Sequence, residues 1–284
     1  MMKYCVIIPA YNEEAFIGLT LQSVADQTSR PSKVVVVDDN STDRTSEIVA
    51  AFQESFPFIS LLKTTSKAVH LPGSKVIRAF INGFETLNMD YDVIVKLDAD
   101  LILPSDYFET ILRTFQSDQT IGMAGGFAYI EKNGNWILES LTDKDHIRGA
   151  FKAYRKQCFQ DIGGLKPAMG WDTVDELLAK YHGWKVVTIP ELKVKHLKPT
   201  GANYDKSARY RQGEAFYTLG YGFSITAIAS AKLAMKKKKP MLFIDYLSGF
   251  FKAKHAKKEL LVTAEQARFI RNYRWNIMRQ KLGI

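Results

Sequence analysis

Short apolar runs that end in polar or acidic residues recur through the first third of this chain, and they constrain its fold more than any other feature. The runs YCVIIPA (4–10), KVVVVDD (33–39) and YDVIVKLDAD (91–100) are rich in β-branched residues, as are strands buried on both faces. Stretches with apolar residues at helical spacing separate them. This alternation predicts an α/β fold with a mostly parallel central sheet and helices on both faces.

The conspicuous polar residues follow the predicted strands. Asn12 stands where the N-cap of the first predicted helix belongs, and Asp98 and Asp100 close the third run. In open α/β sheets, ligands bind at the carboxyl ends of the strands. The segments PAYNE, DDNS and DAD are therefore predicted to line one crevice.

Charge divides the chain near residue 200. Residues 201–284 hold 17 Lys and Arg against 5 Asp and Glu, whereas residues 1–200 carry a slight excess of acids. We therefore predict one domain over 1–200, followed by a basic helical extension over 201–284. With 284 residues and a 46% hydrophobic composition, the chain can bury a full core.

Three features predict a cytoplasmic setting. The two cysteines are too few for a disulfide framework, and Cys5 lies in an apolar run, as a small core residue would. The N-terminus lacks the pattern of a signal peptide. No run approaches the ~18 apolar residues of a membrane-spanning helix.

Asp98 and Asp100 can face the same pocket from a strand end and the turn that follows it. Carboxylate oxygens in that arrangement suit Mg²⁺ or Mn²⁺, shared with the phosphate oxygens of a substrate. The alternative is that they cap a turn, because Asp is common after strands.

Ordered motifs in the chain resemble those of the family 2 glycosyltransferases with the nucleotide-diphospho-sugar (GT-A) fold: VIIPAYNEE, VVVVDDNSTDRT, VIVKLDAD and IGGLKPAMGWDTVDEL. The resemblance covers residues 3–200. It implies a GT-A, Rossmann-like catalytic domain. It also implies inverting, divalent-metal-dependent transfer of a sugar from a nucleotide-sugar to an acceptor hydroxyl or phosphate.

The resemblance implies donor-binding roles as well. Pro9, Tyr11 and Glu13 match the motif that lines the nucleoside pocket, where the Tyr11 ring can face the base. Asp39 matches the carboxylate that accepts the N–H of a uracil-like ring, whereas Asp38 is assigned to supporting the loop. The match at Asp39 favours a UDP-sugar and leaves thymine and guanine donors open.

Metal and diphosphate contacts follow from the same resemblance. Asp98 matches the acid on the ribose and metal side, and Asp100 matches the direct metal ligand. Lys75 and Arg78 carry cations that can reach the diphosphate or the base, or they are solvated helix charges. His196 matches a position from which some members supply a further metal ligand, with a structural role as the alternative.

Asp172 is the predicted catalytic base. The family places a Glu-Asp pair at the start of a helix, ahead of a Gly-aromatic turn; here Asp172 precedes Gly183 by eleven residues, and Trp171 replaces the Glu. Asp175 and Glu176 are rivals that could instead cap the helix or contact the acceptor. Trp171 is predicted to stack on a sugar face.

The stretch KKKKPMLFIDYLSGFFKAKHAKK (236–258) predicts a helix with an apolar stripe flanked by lysines. The stripe comprises Leu242, Phe243, Tyr246, Leu247, Phe250 and Phe251. This pattern is typical of an interfacial helix, so we expect peripheral contact with the inner face of the cell membrane through 223–258. The alternative is that the helix covers the preceding domain. Nucleic acid is not an expected partner, because no nucleic-acid motif is present.

The predicted function is transfer of a sugar from a nucleotide-sugar donor to a glycan or lipid-linked acceptor of the cell envelope. The alternative is a catalytically silent protein on the same fold that binds sugar-nucleotides or membranes; the intact DAD motif and Asp172 argue against it. A nucleotidyltransferase is disfavoured because VIIPAYNEE contains no glycine. A nicotinamide dehydrogenase is disfavoured because no G-x-G-x-x-G follows the first strand.

Overall fold

Two structural units divide the chain in the computed structural model, which describes residues 2–65, 73–139, 146–198 and 208–283. The first unit comprises Met1–Pro167 and Trp171–Thr200, and the second comprises Ala168–Gly170 and Gly201–Ile284. The first is an α/β domain, and the second is helical.

The first unit is built on one sheet with helices. Its strands are β1 (Tyr4–Ala10), β2 (Lys33–Asp39), β3 (Ile59–Thr64), β4 (Val93–Leu97), β5 (Leu101–Ile102), β6 (Ile121–Lys132), β7 (Asn135–Leu138), β8 (Phe151–Arg155) and β9 (Lys185–His196). Its helices are α1 (Ile17–Ala25), α2 (Thr45–Ser55), α3 (Ser74–Glu85), α4 (Tyr107–Ser117), α5 (Lys156–Asp161) and α6 (Trp171–Tyr181).

The strands of the sheet lie in the order β3-β2-β1-β4-β8-β6-β9-β5, with β7 paired to β6. The four strands β3, β2, β1 and β4 are parallel, as are β6 and β9. β8 runs antiparallel to β4 and β6, β7 to β6, and β5 to β9. The predicted α/β class with a central sheet is confirmed, and antiparallel strands make its second half mixed.

The chain changes direction across the sheet between β1 and β4. From β1 it moves outward through β2 to β3, and after α3 it returns to β4 on the other side of β1. Such a switch point opens a crevice at the carboxyl ends of the two strands. Here those ends are Ala10 and Leu97, which Tyr11 and Asp98 follow directly.

Close packing fixes α3 against one face of the sheet. A Cβ built on Gly83 would lie 2.6 Å from a Val37 methyl and 2.8 Å from an Ile7 methyl, so only glycine fits this contact. Because strand-helix-strand crossovers are right-handed, α1 and α2 belong on the opposite face. The predicted helices on both faces follow from this arrangement.

One local expectation was wrong. Asn12 does not cap α1: its φ is 53°, and its side-chain oxygen accepts the N–H of Thr42 at 2.8 Å. The helix begins at Ile17 instead, after a turn in which the Glu13 carbonyl accepts the Ile17 N–H.

The second unit consists of helices in its described part. They are α7 (Ala208–Thr218), α8 (Phe223–Lys236), α9 (Met241–His255) and α10 (Ala264–Leu282). Across the described ranges of the chain, every helix is too short or too polar to cross a membrane.

Two glycines let α7 and α9 approach each other closely. A Cβ on Gly213 would lie 1.7 Å from the Tyr246 carbonyl oxygen, and one on Gly249 would lie 2.0 Å from the backbone of α7. Tyr246 and Phe250 are each only 3% exposed. Within the predicted apolar stripe of α9, Tyr246 and Phe250 therefore form a packing face, whereas Phe251 remains 48% exposed.

Candidate active site

Hydrogen bonds join the loops that follow β1 and β2 at the crevice. The Asn12 N–H donates to Ser41 Oγ at 2.9 Å, and the Glu13 N–H donates to Thr45 Oγ1 at 2.8 Å. Tyr11 lies directly before this pair of bonds and is 53% exposed. The Tyr11 ring is therefore open to solvent, and hydrogen bonds hold the backbone that follows it.

The two acids at the end of β2 have different surroundings. Asp38 accepts hydrogen bonds from the Ser41 N–H and the Ser46 hydroxyl, so it supports the loop, as predicted. Asp39 is also buried, and Thr64 of the neighbouring strand donates to its carboxylate at 3.3 Å. Pro9 is buried within β1.

Lys75 and Tyr11 come together across the crevice. The Lys75 ammonium lies 5.6 Å from the centroid of the Tyr11 ring, a cation–π distance. Arg78, one turn further along α3, donates from Nε to Ser74 Oγ at 3.2 Å and is exposed. Of the two predicted cations, Lys75 is the one that contacts another predicted donor residue.

A buried lysine pairs with Asp98. Lys96 is 1% exposed, and its ammonium contacts the Asp98 carboxylate. Burial raises the pKa of Asp98, the Lys96 charge opposes this increase, and the nearby Asp100 carboxylate adds to it. Asp98 is therefore held in place by a cation from its own strand.

Trp171 is enclosed rather than open to a ligand. It is 7% exposed, and its ring lies 5.3 Å from the Lys96 ammonium and 5.8 Å from that of Lys152. A Cβ on Gly149 would lie 2.7 Å from the ring, so the backbone also covers it. The prediction that Trp171 stacks on a sugar face is wrong because core residues occupy its surroundings.

Asp100 and His196 meet at the mouth of β4. His196 Nε2 lies 3.4 Å from Asp100 Oδ2, and His196 Nδ1 lies 3.5 Å from a Glu139 carboxylate oxygen. Arg148 pairs with the same Glu139 oxygen at 3.0 Å. Burial lowers the pKa of His196, but its contacts with Asp100 and Glu139 outweigh this effect and raise the pKa to about 9.

Glu13 adds a further acid beside this pair. Lys198 binds one Glu13 oxygen at 2.7 Å, and the other oxygen is buried with no hydrogen-bond partner among the described residues. Burial raises the pKa of Glu13, Lys198 opposes the increase, and the Asp100 and Asp98 charges add to it. Three predicted acids therefore affect one another electrostatically.

Metal ligation can be tested against this arrangement. Within the described ranges, no three His, Cys, Asp or Glu side chains form a complete metal site. Asp100 and His196 supply an oxygen and a nitrogen donor of the kind that Mn²⁺ accepts. A second carboxylate ligand from the same loop would require Asp98 to leave Lys96. The residues fit a divalent cation after that one local rearrangement.

Asp172 lies in the first turn of α6, with its side chain 37% exposed. His146 Nε2 is 3.8 Å from Asp172 Oδ2, and Lys152 donates to the Asp172 carbonyl. Burial raises the pKa of Asp172, but the nearby His146 and the Lys152 charge outweigh burial and lower the pKa to about 2. The carboxylate is therefore ionised at neutral pH.

The rival acids on α6 bind the buried Lys152. Its ammonium donates to both Asp175 oxygens and to Glu176 Oε1, each at 3.0 Å. The Tyr154 hydroxyl also donates to Asp175 at 2.7 Å. Asp175 and Glu176 are buried and occupied by this network, whereas the Asp172 side chain is partly exposed.

We expect the first unit to lose stability as pH rises through the titration of His146. Burial lowers the pKa of His146, but the contacts of its ring with the Asp172 and Glu176 carboxylates outweigh burial and raise the pKa to about 9. Because the folded pKa lies above the unfolded value of 6.5, the stabilisation is complete below pH 6.5 and is lost as pH rises through about 9. The shift corresponds to up to about 3 kcal/mol of unfolding free energy.

Urea unfolding near pH 6 and near pH 10, followed by tryptophan fluorescence, measures this loss. His146→Gln should shrink the difference between the two pH values. His182→Gln, at an exposed histidine, should not change it. An unchanged difference in His146→Gln would contradict the assignment.

Sequence reasoning missed the side chains that hold the predicted ones. His146 and Glu139 lie outside the motifs, and only the fold brings them to Asp172 and His196. The sequence did indicate partners for Lys152. A lysine within a buried strand needs acidic partners, since charged groups are almost never buried alone.

A profile of the glycosyl transferase family 2 matches residues 5–167. This match covers more than half of the chain and includes the strand ends that build the crevice. The chain belongs to this family, as its motifs predicted.

Relatives and solved structures agree with this assignment. The dolichol-phosphate mannosyltransferase of Pyrococcus furiosus is 28% identical over 208 residues, which cover 66% of this chain and 56% of that protein. The mannosyltransferase PcManGT from Pyrobaculum calidifontis, solved with GDP-Man and Mn²⁺, has a TM-score of 0.59 at 17% identity, covering 98% of this chain and 81% of that one.

Staphylococcus aureus TarS 1–349, solved with UDP-GlcNAc, has a TM-score of 0.58 at 17% identity, covering 88% of this chain and 73% of that one. At these identities, the two solved structures establish the GT-A fold. The chain spans about half the length of the curated relatives it matches.

Proposed function

We propose that this chain is an inverting glycosyltransferase that moves a sugar from a nucleotide-diphospho-sugar to a glycan or lipid-linked acceptor. One observation carries the proposal. Lys96 contacts both the Asp98 carboxylate and the Trp171 ring, and Asp172 follows Trp171 directly. The proposed donor side and the proposed base are thereby linked through one buried cluster.

The proposed donor is a UDP-sugar. Tyr11, with Lys75 over its ring, is suited to stack on a base, and Asp39 is suited to accept a pyrimidine N–H. Pro9 and Glu13 shape the same loop, and we assign Arg78 to the diphosphate. Of the two solved structures described above, one holds GDP-Man and the other holds UDP-GlcNAc, which supports a nucleotide-sugar donor.

Asp98, Asp100 and His196 are the proposed ligands of Mg²⁺ or Mn²⁺. When bound, the cation would neutralise the charge that develops on the departing nucleoside diphosphate. His196 must be neutral to ligate, and its pKa is raised to about 9, so metal binding must release a proton at neutral pH. For Asp98 to serve as a ligand as well, its carboxylate would have to leave Lys96.

Asp172 is the proposed base, which takes the proton of the acceptor hydroxyl as its oxygen attacks the anomeric carbon. A pKa of about 2 makes Asp172 a weak base at rest, so its contribution depends on position. His146 and Lys152 supply that positioning.

A nucleotide-sugar screen tests the proposal. Donors that bind the native state raise its apparent stability, so thermal shifts with and without Mn²⁺ should single out one nucleotide-sugar. Release of the nucleoside diphosphate from that donor should then depend on the metal. Binding without any turnover would favour the catalytically silent alternative. No shift with any donor would contradict both the enzymatic function and a silent protein that binds sugar-nucleotides.

Replacing Glu139 with glutamine is expected to weaken Mn²⁺ binding by about 10–100-fold. The Glu139 carboxylate lies 3.5 Å from His196 Nδ1, so it can accept the proton of that nitrogen and keep Nε2 available toward Asp100. Calorimetric titration of the donor-free protein with Mn²⁺ measures the change. Glu131→Gln, at an exposed position on β6, is the control. Equal affinity in both variants would contradict the role of Glu139.

We also propose that the protein is cytoplasmic and peripheral on the inner membrane face, with contact through 223–258. Support comes from the basic charge of residues 201–284 and from exposed apolar side chains in the second unit. These are Phe223, Ile228, Met235, Met241, Ile244 and Phe251. A lipid-linked acceptor at that surface would resemble the dolichol phosphate in the name of the Pyrococcus furiosus relative.

A further inference from the structure

An apolar groove lies at the turn between α8 and α9. Its volume is about 550 Å³, within the range of about 300–1,000 Å³ that ligand pockets show. Its apolar lining comes from Ala231, Ala234, Met235, Pro240 and Phe243. Met235 is 78% exposed, so part of this apolar wall faces water. We call the segment 231–243 the hairpin tip.

Lysines surround the groove. Lys238 and Lys239 contribute to its lining, and the whole run 236–239 is exposed. The N–H groups of Lys238 and Lys239 donate to the Met235 and Ala234 carbonyls, each at 3.0 Å. Lys238 has a φ of 53°, so the turn ends α8 in the left-handed conformation typical of helix C-termini. A hydrogen-bonded turn therefore holds the positive charges beside the groove.

The occupant of this groove must match an apolar wall and a positive rim together. A free anion would leave the apolar wall in water, and an apolar helix would bury lysines without partners. A lipid with an anionic headgroup satisfies both, because its chain can enter the groove while its phosphate meets the lysines.

We propose that the hairpin tip binds an anionic phospholipid, with one acyl chain in the groove and the phosphate beside Lys238 and Lys239. The inference rests on the proposed membrane contact and names its lipid class and residues. It places the contact at the hairpin tip, which includes Phe243 at the start of the α9 stripe, and not at Tyr246 and Phe250 further along the stripe, which are buried.

Lys238→Asn and Lys257→Asn form a matched pair of variants. Both lysines are exposed, with φ values of 53° and 49°; Lys238 follows the end of α8, and Lys257 follows the end of α9. Asparagine tolerates this conformation, so each change removes one charge without new strain. Binding of the full chain to vesicles of equimolar phosphatidylcholine and phosphatidylglycerol is measured by sedimentation.

Lys238→Asn should weaken vesicle binding by about 5-fold, the effect of about 1 kcal/mol per lysine near an anionic surface, and Lys257→Asn by much less. Equal losses of vesicle binding in the two variants would overturn the proposed lipid site in the groove, but they would still agree with a general attraction of the basic unit to the membrane. If the unmodified chain does not sediment with these vesicles, both the groove and the membrane contact are overturned. Donor turnover, assayed without vesicles, tests the enzymatic proposal separately.

A second measurement follows the acyl chain. In the Phe243→Trp variant, the introduced indole lines the groove, and bromine on acyl chains quenches indole fluorescence on contact. Quenching should be stronger when phosphatidylglycerol carries the bromine than when phosphatidylcholine does. Met235→Gln in the same background should reduce the quenching, whereas Leu19→Gln, at an exposed position on α1 outside the proposed contact, should not. Equal quenching by both lipids would overturn selection of the anionic one.

Discussion

Replacing Asp172 with asparagine is expected to lower the turnover number by about 10²–10⁴-fold, the range that general-base catalysis contributes. Asparagine has nearly the same shape and can still contact His146, but it cannot take a proton from the acceptor. The Lys152 network on Asp175 and Glu176 stays intact, so α6 should keep its place. Steady-state kinetics measures the turnover number, and calorimetry measures the affinity for the donor.

Donor affinity separates a chemical role from a structural one. A base that acts on the acceptor should leave the donor dissociation constant of Asp172→Asn near its original value. Asp90→Asn is a control because Asp90 is exposed and pairs with Lys156 at the surface. A rate for Asp172→Asn within a few-fold of the unmodified protein would assign the base elsewhere.

Replacing Asp100 with alanine is expected to abolish metal-dependent turnover while leaving the fold intact. The Asp100 carboxylate and His196 are the two proposed metal ligands that already lie close together. Stabilisation of the leaving group by a metal contributes several kcal/mol, so turnover should fall by about 10³-fold or more. The strand that precedes it should persist, because the β4 ladder and its buried core do not use the Asp100 side chain. Turnover with added Mn²⁺ and circular dichroism measure these two expectations.

Metal affinity provides a readout that does not depend on turnover. Titration with Mn²⁺ should show weaker binding to Asp100→Ala than to Asp106→Ala, in which an exposed acid at the start of α4 is removed. His196 should also lose part of its raised pKa in Asp100→Ala, because the Asp100 contact contributes to it. Retention of near-normal turnover in Asp100→Ala would reject the metal assignment.

Much of the sheet could be predicted because its first half is built from local patterns. β1, β2 and β4 are continuous β-branched runs, and the structure buries them throughout or nearly so. The second half was harder: β5 is two residues long, and β7 is mostly exposed. Such short or exposed strands exist because neighbouring strands pair with them, and periodicity in the sequence does not report that pairing.

The candidate site also has one part that the sequence predicted and another that it did not. Asp39 ends β2, and Asp98 and Asp100 follow β4, so the rule for open α/β sheets predicted their location from the sequence. The partners Lys96, Glu139 and His146 could not be assigned, because each contact depends on which distant side chain the packed domain brings near. The same limit explains the error at Trp171: its position in the motif did not reveal that lysines and Gly149 enclose it.

The family, the parallel half of the sheet and the edge where the acids collect can be predicted from the amino-acid sequence, because strand period and strand-end chemistry are local properties. The partners of those acids emerge only when the chain is folded. Lys152 neutralises Asp175 and Glu176, Lys96 binds Asp98, and His146 lies near the partly exposed Asp172. The state of a carboxylate depends on its burial and on the cations within a few ångströms, and those neighbours come mostly from other parts of the chain.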